Sequence, residues 1–195
     1  MTGDSKSPIN KVRRRDRAQD ADWIRAFLHS GAWGALATVD EGQPFINTQN
    51  YVYDEETHVI FLHGARFGRT RSNLEGGAKV CFSVSEMGRI LPDEIALEFS
   101  VEYAGVTLFG RGGAVEDDAE KARALQMLLD KYAPHLKPDR DYRPANQEEL
   151  DRTSVFRIDI ESWSGKKNEK EADFPGAFWY ESQREPSPFA PGGSR

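Results

Sequence analysis

The chain has 195 residues, 38% of them apolar and 30% charged, a composition suited to one folded domain with polar ends. A formal net charge of −6 argues against general affinity for nucleic acid, whose phosphates would be repelled. No apolar run nears the length of a membrane span, the start lacks the apolar centre of a signal peptide, and a single cysteine excludes an internal disulfide framework or cysteine zinc site. A cytoplasmic protein is expected, with neither membrane nor nucleic acid as partner.

In chain order, residues 1–12 are polar and are expected to form a disordered tail. Asp20 reads as an N-cap, and Trp23, Ile24, Phe27 and Leu28 give a helical stripe that stops at Gly31, with His29 a structural residue at its end. The period then changes. Trp33–Val39 and Pro44–Tyr53 read as strands joined by the turn Asp40-Glu41-Gly42, and Asp54–Thr57 turns the chain into a third strand, His58–His63. Lys79–Ser85 alternates as a strand with Val80, Phe82 and Val84 inward and Cys81 as a packing residue on the other face.

Glu86–Glu94 reads as a loop, and Ala96–Val115 as a long extended run with a bulge at Ala104-Gly105. Asp117 or Asp118 caps a helix with apolar positions Ala122, Leu125, Leu128, Leu129 and Tyr132, stopped by Pro134. A turn of helix is expected at Gln147–Leu150, and Ser154–Ile160 alternates as the last strand. The tail from residue 168 is rich in Pro, Gly and Ser, yet it carries Phe174, Phe178, Trp179 and Tyr180, a cluster suited to docking on the body or on a partner subunit. Local hairpins favour a closed antiparallel barrel over a parallel sheet.

The chemistry concentrates in Phe61–Leu74. A strand ends in His63-Gly64-Ala65, two glycines frame a loop carrying Arg66, and Arg69–Glu75 reads as a short helix closed by Gly76-Gly77. Glycine admits positive φ and close ligand approach, and the guanidinium forks of Arg66, Arg69 and Arg71 suit phosphate oxygens. Taken alone, the stretch is equally readable as a surface turn with three solvated arginines. Histidine pairs at metal spacing, Cys-x-x-Cys and the Gly-x-Ser-x-Gly elbow are all absent. Trp163, placed after the last strand, is able to cover a planar ring by stacking or to pack at a barrel rim.

Several pieces match one family in order and spacing. They are Arg14-Arg15, Gly34-Ala35-Leu36-Ala37-Thr38, Pro44-Phe45 with Asn50-Tyr51, and His63-Gly64-Ala65 with Gly68-Arg69. Asn73-Leu74, Lys79-Val80-Cys81-Phe82, Ser100–Tyr103 with Phe109-Gly110, and Trp163-Ser164-Gly165-Lys166 complete the pattern. Over residues 13–167 the chain resembles the FMN-binding split-barrel group of pyridoxamine 5′-phosphate oxidase-like proteins, and is most similar to the branch containing the 5-nitroimidazole-resistance proteins. The resemblance implies a mainly β fold, a six-stranded antiparallel split β-barrel with a few flanking helices, that forms a homodimer with FMN at the subunit interface. The backbone around Asn47, Thr48, Gln49 and Asn50 would run along the isoalloxazine, His63 and Gly64 would border the ribityl chain, and Arg69 with Thr70 would hold the phosphate. Arg66 and Arg71 would add charge, while Trp163 and Lys166 would approach from the other subunit.

Two departures matter. Thr70 stands where the family often has Lys, and the Arg-Leu-His-Asp-Arg signature of true pyridoxamine phosphate oxidases is replaced by Lys167-Asn168-Glu169-Lys170-Glu171. Ala104-Gly105 also replaces larger polar residues that often face the flavin. The expectation is an FMN-dependent oxidoreductase for a small organic substrate, with nitroaromatics as candidates and vitamin B6 disfavoured. His63 is the candidate catalytic residue, as a proton donor. The alternative is a flavin- or haem-binding protein for storage, sensing or resistance, since barrels of this type also carry haem or a deazaflavin.

Overall fold

The computed structural model describes residues 8–180, so the outer parts of both expected tails, 1–7 and 181–195, lie outside the described residues. Among the described residues two compact units are distinguished: 8–86 with Ala104–Lys167, and Met87–Tyr103 with 168–180.

The first unit opens with a turn in which Lys11 N donates to Pro8 O, and Asn10 Nδ2 reaches Trp163 O at 3.3 Å. After a two-residue strand, β1 (Ala18–Gln19), Asp20 caps α1 (Ala21–Ser30) by accepting from Trp23 N, and Ile24, Phe27 and Leu28 are buried as the stripe predicts. β2 (Gly34–Asp40) and β3 (Gln43–Gln49) form a hairpin whose two central residues, Glu41 and Gly42, have φ of 48° and 82°. Positive φ at both positions matches the twist of the flanking strands.

The expected single strand from Pro44 to Tyr53 is two strands, broken at Asn50. β3 pairs with β2, whereas β4 (Tyr51–Asp54) pairs with β5 (Val59–Ala65). The strand order is β3-β2-β6-β7-β8-β5-β4, with β1 on β8. The two ends of that order are therefore joined by one residue, which requires the sheet to curl until its edges meet. This is a mainly antiparallel barrel with a split between β3 and β4.

Other boundaries also differ from expectation. β6 runs over Ala78–Leu91, so the expected loop at Glu86–Glu94 is largely strand. A 3-10 turn at Ala96–Glu98 precedes β7 (Ser100–Ala114), and β8 extends over Thr153–Asn168, eight residues past Ile160. β6 and β8 both neighbour β7 in the sheet, and the β8 extension also pairs with β1, so backbone pairing holds strands that their own alternation does not mark. At Gly110 a Cβ would collide with the Asp159 carbonyl, so glycine is what lets β7 lie against β8 there.

The core of this unit is built from Leu28, Leu36, Tyr51, Phe82, Leu108, Phe156 and Ile158, all at or below 1% exposure. Each such side chain contributes roughly 1.5–3 kcal/mol of burial free energy. α3 (Asp118–Tyr132), capped by Asp117, packs through Ala124 and Leu128, with Leu125 and Met127 partly buried, onto Val52 and Phe61. That face is rotated from the expected one, which leaves Ala122 and Leu129 exposed. Tyr132 instead uses its hydroxyl, accepting from Tyr51 N at 3.1 Å and donating to Ala32 O at 2.7 Å. α4 (Gln147–Arg152) carries a complete capping box from Asn146 and Glu149.

In the second unit Arg89 and Glu102 pair at 2.6 Å, and the Arg89 guanidinium also donates to the carbonyls of Lys170, Glu171 and Ala172. The hydrogen-bonded Arg89 guanidinium holds the Glu102 carboxyl down at about 2. Phe178 bridges Ile90 in antiparallel register, which ties down the first aromatics of the expected tail. Trp179 and Tyr180 remain about two-thirds exposed.

Candidate functional site

β5 delivers the chain to the arginine loop in a register fixed by β8, with His63 opposite Val155 and Gly64 opposite Ser154. A Cβ on Gly64 would stand 3.2 Å from the Phe156 ring, so the ring would have to give slightly for any side chain where the strand enters the site. Gly68 has φ 128°, in the left-handed region that favours glycine, and it starts α2 (Arg69–Asn73) with no side-chain cap. Asn73 then anchors the loop. Its Nδ2 donates to Thr38 Oγ1 at 2.8 Å, both residues are buried, and Leu74 enters the core. The short helix cannot drift from β2 without leaving these groups unsatisfied.

Two cavities flank the loop. The smaller, about 230 Å³, lies between one face of β3 and the start of α2. Alternation along β3 places Phe45, Asn47 and Gln49 on that face and exposes Ile46 and Thr48 on the other. Asn47 Nδ2 donates to Thr70 Oγ1 at 3.1 Å, which leaves the Thr70 hydroxyl proton available to a ligand acceptor. Gln49 Oε1 accepts from Asn47 at 3.4 Å, while Gln49 Nε2 is buried with no hydrogen-bond partner among the described residues. The Arg69 guanidinium lies over the Phe45 ring, 5.6 Å from its centroid, and lines the same cavity. A buried donor without an acceptor costs roughly 1–3 kcal/mol, so the geometry favours a ligand that brings acceptors.

The larger cavity, about 590 Å³, lies on the other side of the loop. Arg66, Arg71 and Lys121 face it together with Glu75, Glu116 and Asp151. Arg71 Nη2 is 3.0 Å from Glu116 Oε1, and Arg66 Nη1 donates to Asp151 O at 3.1 Å. Phe67, Gly68 and Arg71 line both cavities.

The structure thus brings together Asn47, Gln49, Gly64, Arg69, Thr70 and Arg71, with Arg66 across the loop. It leaves other candidates apart. His63 is exposed and lines neither cavity, and Thr48 and Asn50 turn their exposed side chains elsewhere. Trp163, expected after the last strand, lies inside β8 at the opposite end of β5. There it meets the His58 ring edge-on at 4.6 Å, contacts Tyr53, and receives the Arg25 guanidinium at 5.7 Å. Tyr53 Oη and His58 Nδ1 are 3.0 Å apart, and although His58 keeps an exposed edge, partial desolvation of its ring, with Arg25 nearby, lowers its pKa. Lys166 pairs with Ala18 in register at that same end.

Phe67 and Asn73 belong to the site, although sequence reasoning assigned neither a role. Phe67 is 83% exposed on a loop between glycines, and that placement was the available signal. Burial raises the Cys81 thiol pKa, consistent with packing. Among the described residues no His, Cys, Asp and Glu cluster could hold a metal, and no helix is long and apolar enough to cross a membrane.

Residues 20–167 match the family described as Pyridoxamine 5′-phosphate oxidase. Among solved structures, the chain is similar to the FAD and heme binding protein from Mycobacterium smegmatis, with 22% identity and a TM-score of 0.71 over 79% of this chain and 74% of that one. The flavocytochrome Anf3 from Azotobacter vinelandii is 23% identical with a TM-score of 0.70, over 95% and 91% of the two chains. A candidate 5-nitroimidazole antibiotic resistance protein from Bacteroides thetaiotaomicron is 18% identical with a TM-score of 0.63, over 76% and 84%. At these identities the likeness shows the fold. No curated protein matches the chain in sequence.

Proposed function

The chain belongs to the pyridoxamine 5′-phosphate oxidase family, and from that premise we propose that it binds a flavin nucleotide in the smaller cavity and serves as an oxidoreductase for a small organic molecule. The observation that carries the reading is the buried, unpartnered Nε2 of Gln49 in a cavity shared with Arg69 and Thr70. A flavin fits that donor set, because its ring presents acceptors to an amide and its phosphate suits a guanidinium beside a hydroxyl. Gln49 and the β3 backbone would hold the ring, and Arg69 and Thr70 the phosphate. Gly64 would leave room for the chain between them. When bound, the flavin would supply the electron chemistry.

The protein's own contribution is positional. Asn47 holds the Thr70 hydroxyl by donating an Nδ2 proton to its oxygen, so the hydroxyl's own proton is left for another acceptor. The Asn73–Thr38 bond keeps Arg69 and Thr70 at fixed distance from β3. His63, exposed beside Gly64, belongs to the rim of the site in this reading rather than to the reacting atoms. Trp163 and Lys166 lie about 20 Å along β5 from the loop, at roughly 3.3 Å per strand residue. They would reach a flavin only from a second copy, so the proposal includes a homodimer. Lys167–Glu171 lacks the family's vitamin B6 grip, which favours a different substrate.

The test is the absorption spectrum of the purified full chain, with released cofactor identified by mass, followed by turnover assays with reduced nicotinamide and nitroaromatic acceptors. A flavin spectrum with acceptor-dependent turnover is expected. A haem band without flavin, or a colourless chain that takes up no flavin, would overturn the reading.

A further inference from the structure

We propose that the second unit is a docking surface for a basic polypeptide segment that carries apolar side chains. This unit concentrates the charge of the chain. Of its described residues, 87–103 and 168–180, seven are Asp or Glu and two are Lys or Arg. That balance of −5 compares with −6 for all 195 residues, so the remainder of the chain is nearly neutral. Of the two cations, Arg89 is already committed to Glu102 at 2.6 Å and to three backbone carbonyls. Asp93, Glu94, Glu98, Glu171 and Asp173 are all exposed. Such a cluster names no ligand by itself, because water satisfies carboxylates well.

What lies among the carboxylates narrows the choice. Every residue from Asp93 to Ser100 is exposed, and this strip carries Ile95, Leu97 and Phe99, with Leu97 at 88%. Phe178 bridges Ile90 through backbone hydrogen bonds of 2.7 and 3.1 Å, which fixes the exposed run Phe178-Trp179-Tyr180 to the same unit. Single exposed apolar side chains are ordinary on a protein surface, but six of them on two short segments mark an interface. Trp and Tyr are among the side chains that most often dominate such contacts. The charge then selects the partner. Anionic lipid headgroups and nucleic-acid phosphates are repelled by this surface. Lys and Arg side chains meet its carboxylates, while apolar side chains between them cover Leu97 and the rings. A purely cationic partner would leave the rings in water, and a purely apolar one would strip water from the carboxylates without replacing it. The occupant is therefore both basic and amphipathic.

The test titrates the full chain into a short, fluorescently labelled peptide of leucine and lysine in amphipathic order, read by anisotropy at physiological salt. Binding in roughly the micromolar range is expected, as for a small transient interface. Peptides with serine in place of leucine, or glutamate in place of lysine, are expected to bind at least about tenfold more weakly. Leu97→Ser, and separately Glu94→Lys with Glu98→Lys, are each expected to lower affinity for the first peptide by at least about tenfold. Glu41→Lys with Glu148→Lys makes an equal charge change at exposed positions of the first unit. That pair is expected to leave affinity within about twofold, because salt screens distant charges. No binding of the leucine–lysine peptide, or equal binding of the serine–lysine one, would overturn the assignment. Equal losses from the two charge-reversed pairs would reduce it to general attraction between opposite charges and overturn it too. If Leu97→Ser instead converts a dimer to a monomer in sedimentation velocity, the surface belongs to a second copy of this chain and the assignment falls. The wild-type chain's choice among the three peptides decides the matter even where a variant does not fold.

Discussion

The two ends of β5 hold similar raw material and do different things with it. At the start, His58, Tyr53, Trp163 and Arg25 close on one another through ring edges, a cation over an indole and a 3.0 Å hydrogen bond. At the finish, His63 and the Arg66–Arg71 loop leave a phenyl 83% exposed, a glycine at φ 128° and a buried amide donor unpartnered nearby. An aromatic with a histidine and an arginine is therefore no sign of a ligand in itself. The sign is the unsatisfied group. One end spends its polar groups on the fold, and the other leaves a buried polar atom without a partner among the described residues.

The largest expected effect separates the ends by stability. Trp163→Ala removes the ring that both His58 and Tyr53 touch, and should destabilise the fold by roughly 3 kcal/mol, read as a fall in Tm. His63→Ala at the other end should leave Tm within about 1 °C, since an exposed side chain costs little. A small Tm change in Trp163→Ala would break the contrast. Next, Arg69→Ala should weaken flavin binding about tenfold to a hundredfold, the worth of a charge-assisted hydrogen bond, with Tm unchanged. Flavin titration by fluorescence quenching reads this directly. Gly68→Ala should cost about 1 kcal/mol, because alanine resists the left-handed region there even though space for its methyl exists. Urea unfolding would detect it.

The smallest effect is in pH. The folded His58 value lies below the ordinary 6.5, because partial desolvation of its ring and the nearby Arg25 disfavour its charged form. The unfolded chain therefore binds more protons across that window. Stability from this group is fully present above about 6.5 and is lost as pH falls toward the lower folded value. A His58→Gln chain should show a flatter stability profile between pH 5 and 7, roughly the range in which histidines titrate. An unchanged profile would mean that the start of β5 is less closed than its contacts indicate.

Much of this was legible in the chain and some was not, for identifiable reasons. Caps at Asp20 and Asp117 and the Glu41-Gly42 turn act through neighbours two to four residues away, so local patterns reveal them. The break at Asn50 is invisible because the strand stays extended while it changes partner from β2 to β5, and only the sheet's closure demands that change. The polar half of β8 carries Trp163 without apolar alternation, which hid its place inside a strand. α3 was rotated in the reading because Tyr132 looks apolar, yet it is held by its hydroxyl at the Tyr51 backbone. For the site, the glycines and arginines were visible as one stretch. That Gln49 rather than Thr48 faces them depended on the register of β3, set across the barrel by β2.

The central claim is that the finish of β5 holds its open groups for a flavin, and the side-chain amide of Gln49 reports on it most directly. In a nitrogen-edited NMR spectrum of the labelled chain, adding flavin should move the Gln49 Nε2 proton resonances downfield and protect them from exchange, as expected when a buried donor gains an acceptor. Flavin that binds while those resonances stay where they were would contradict the account.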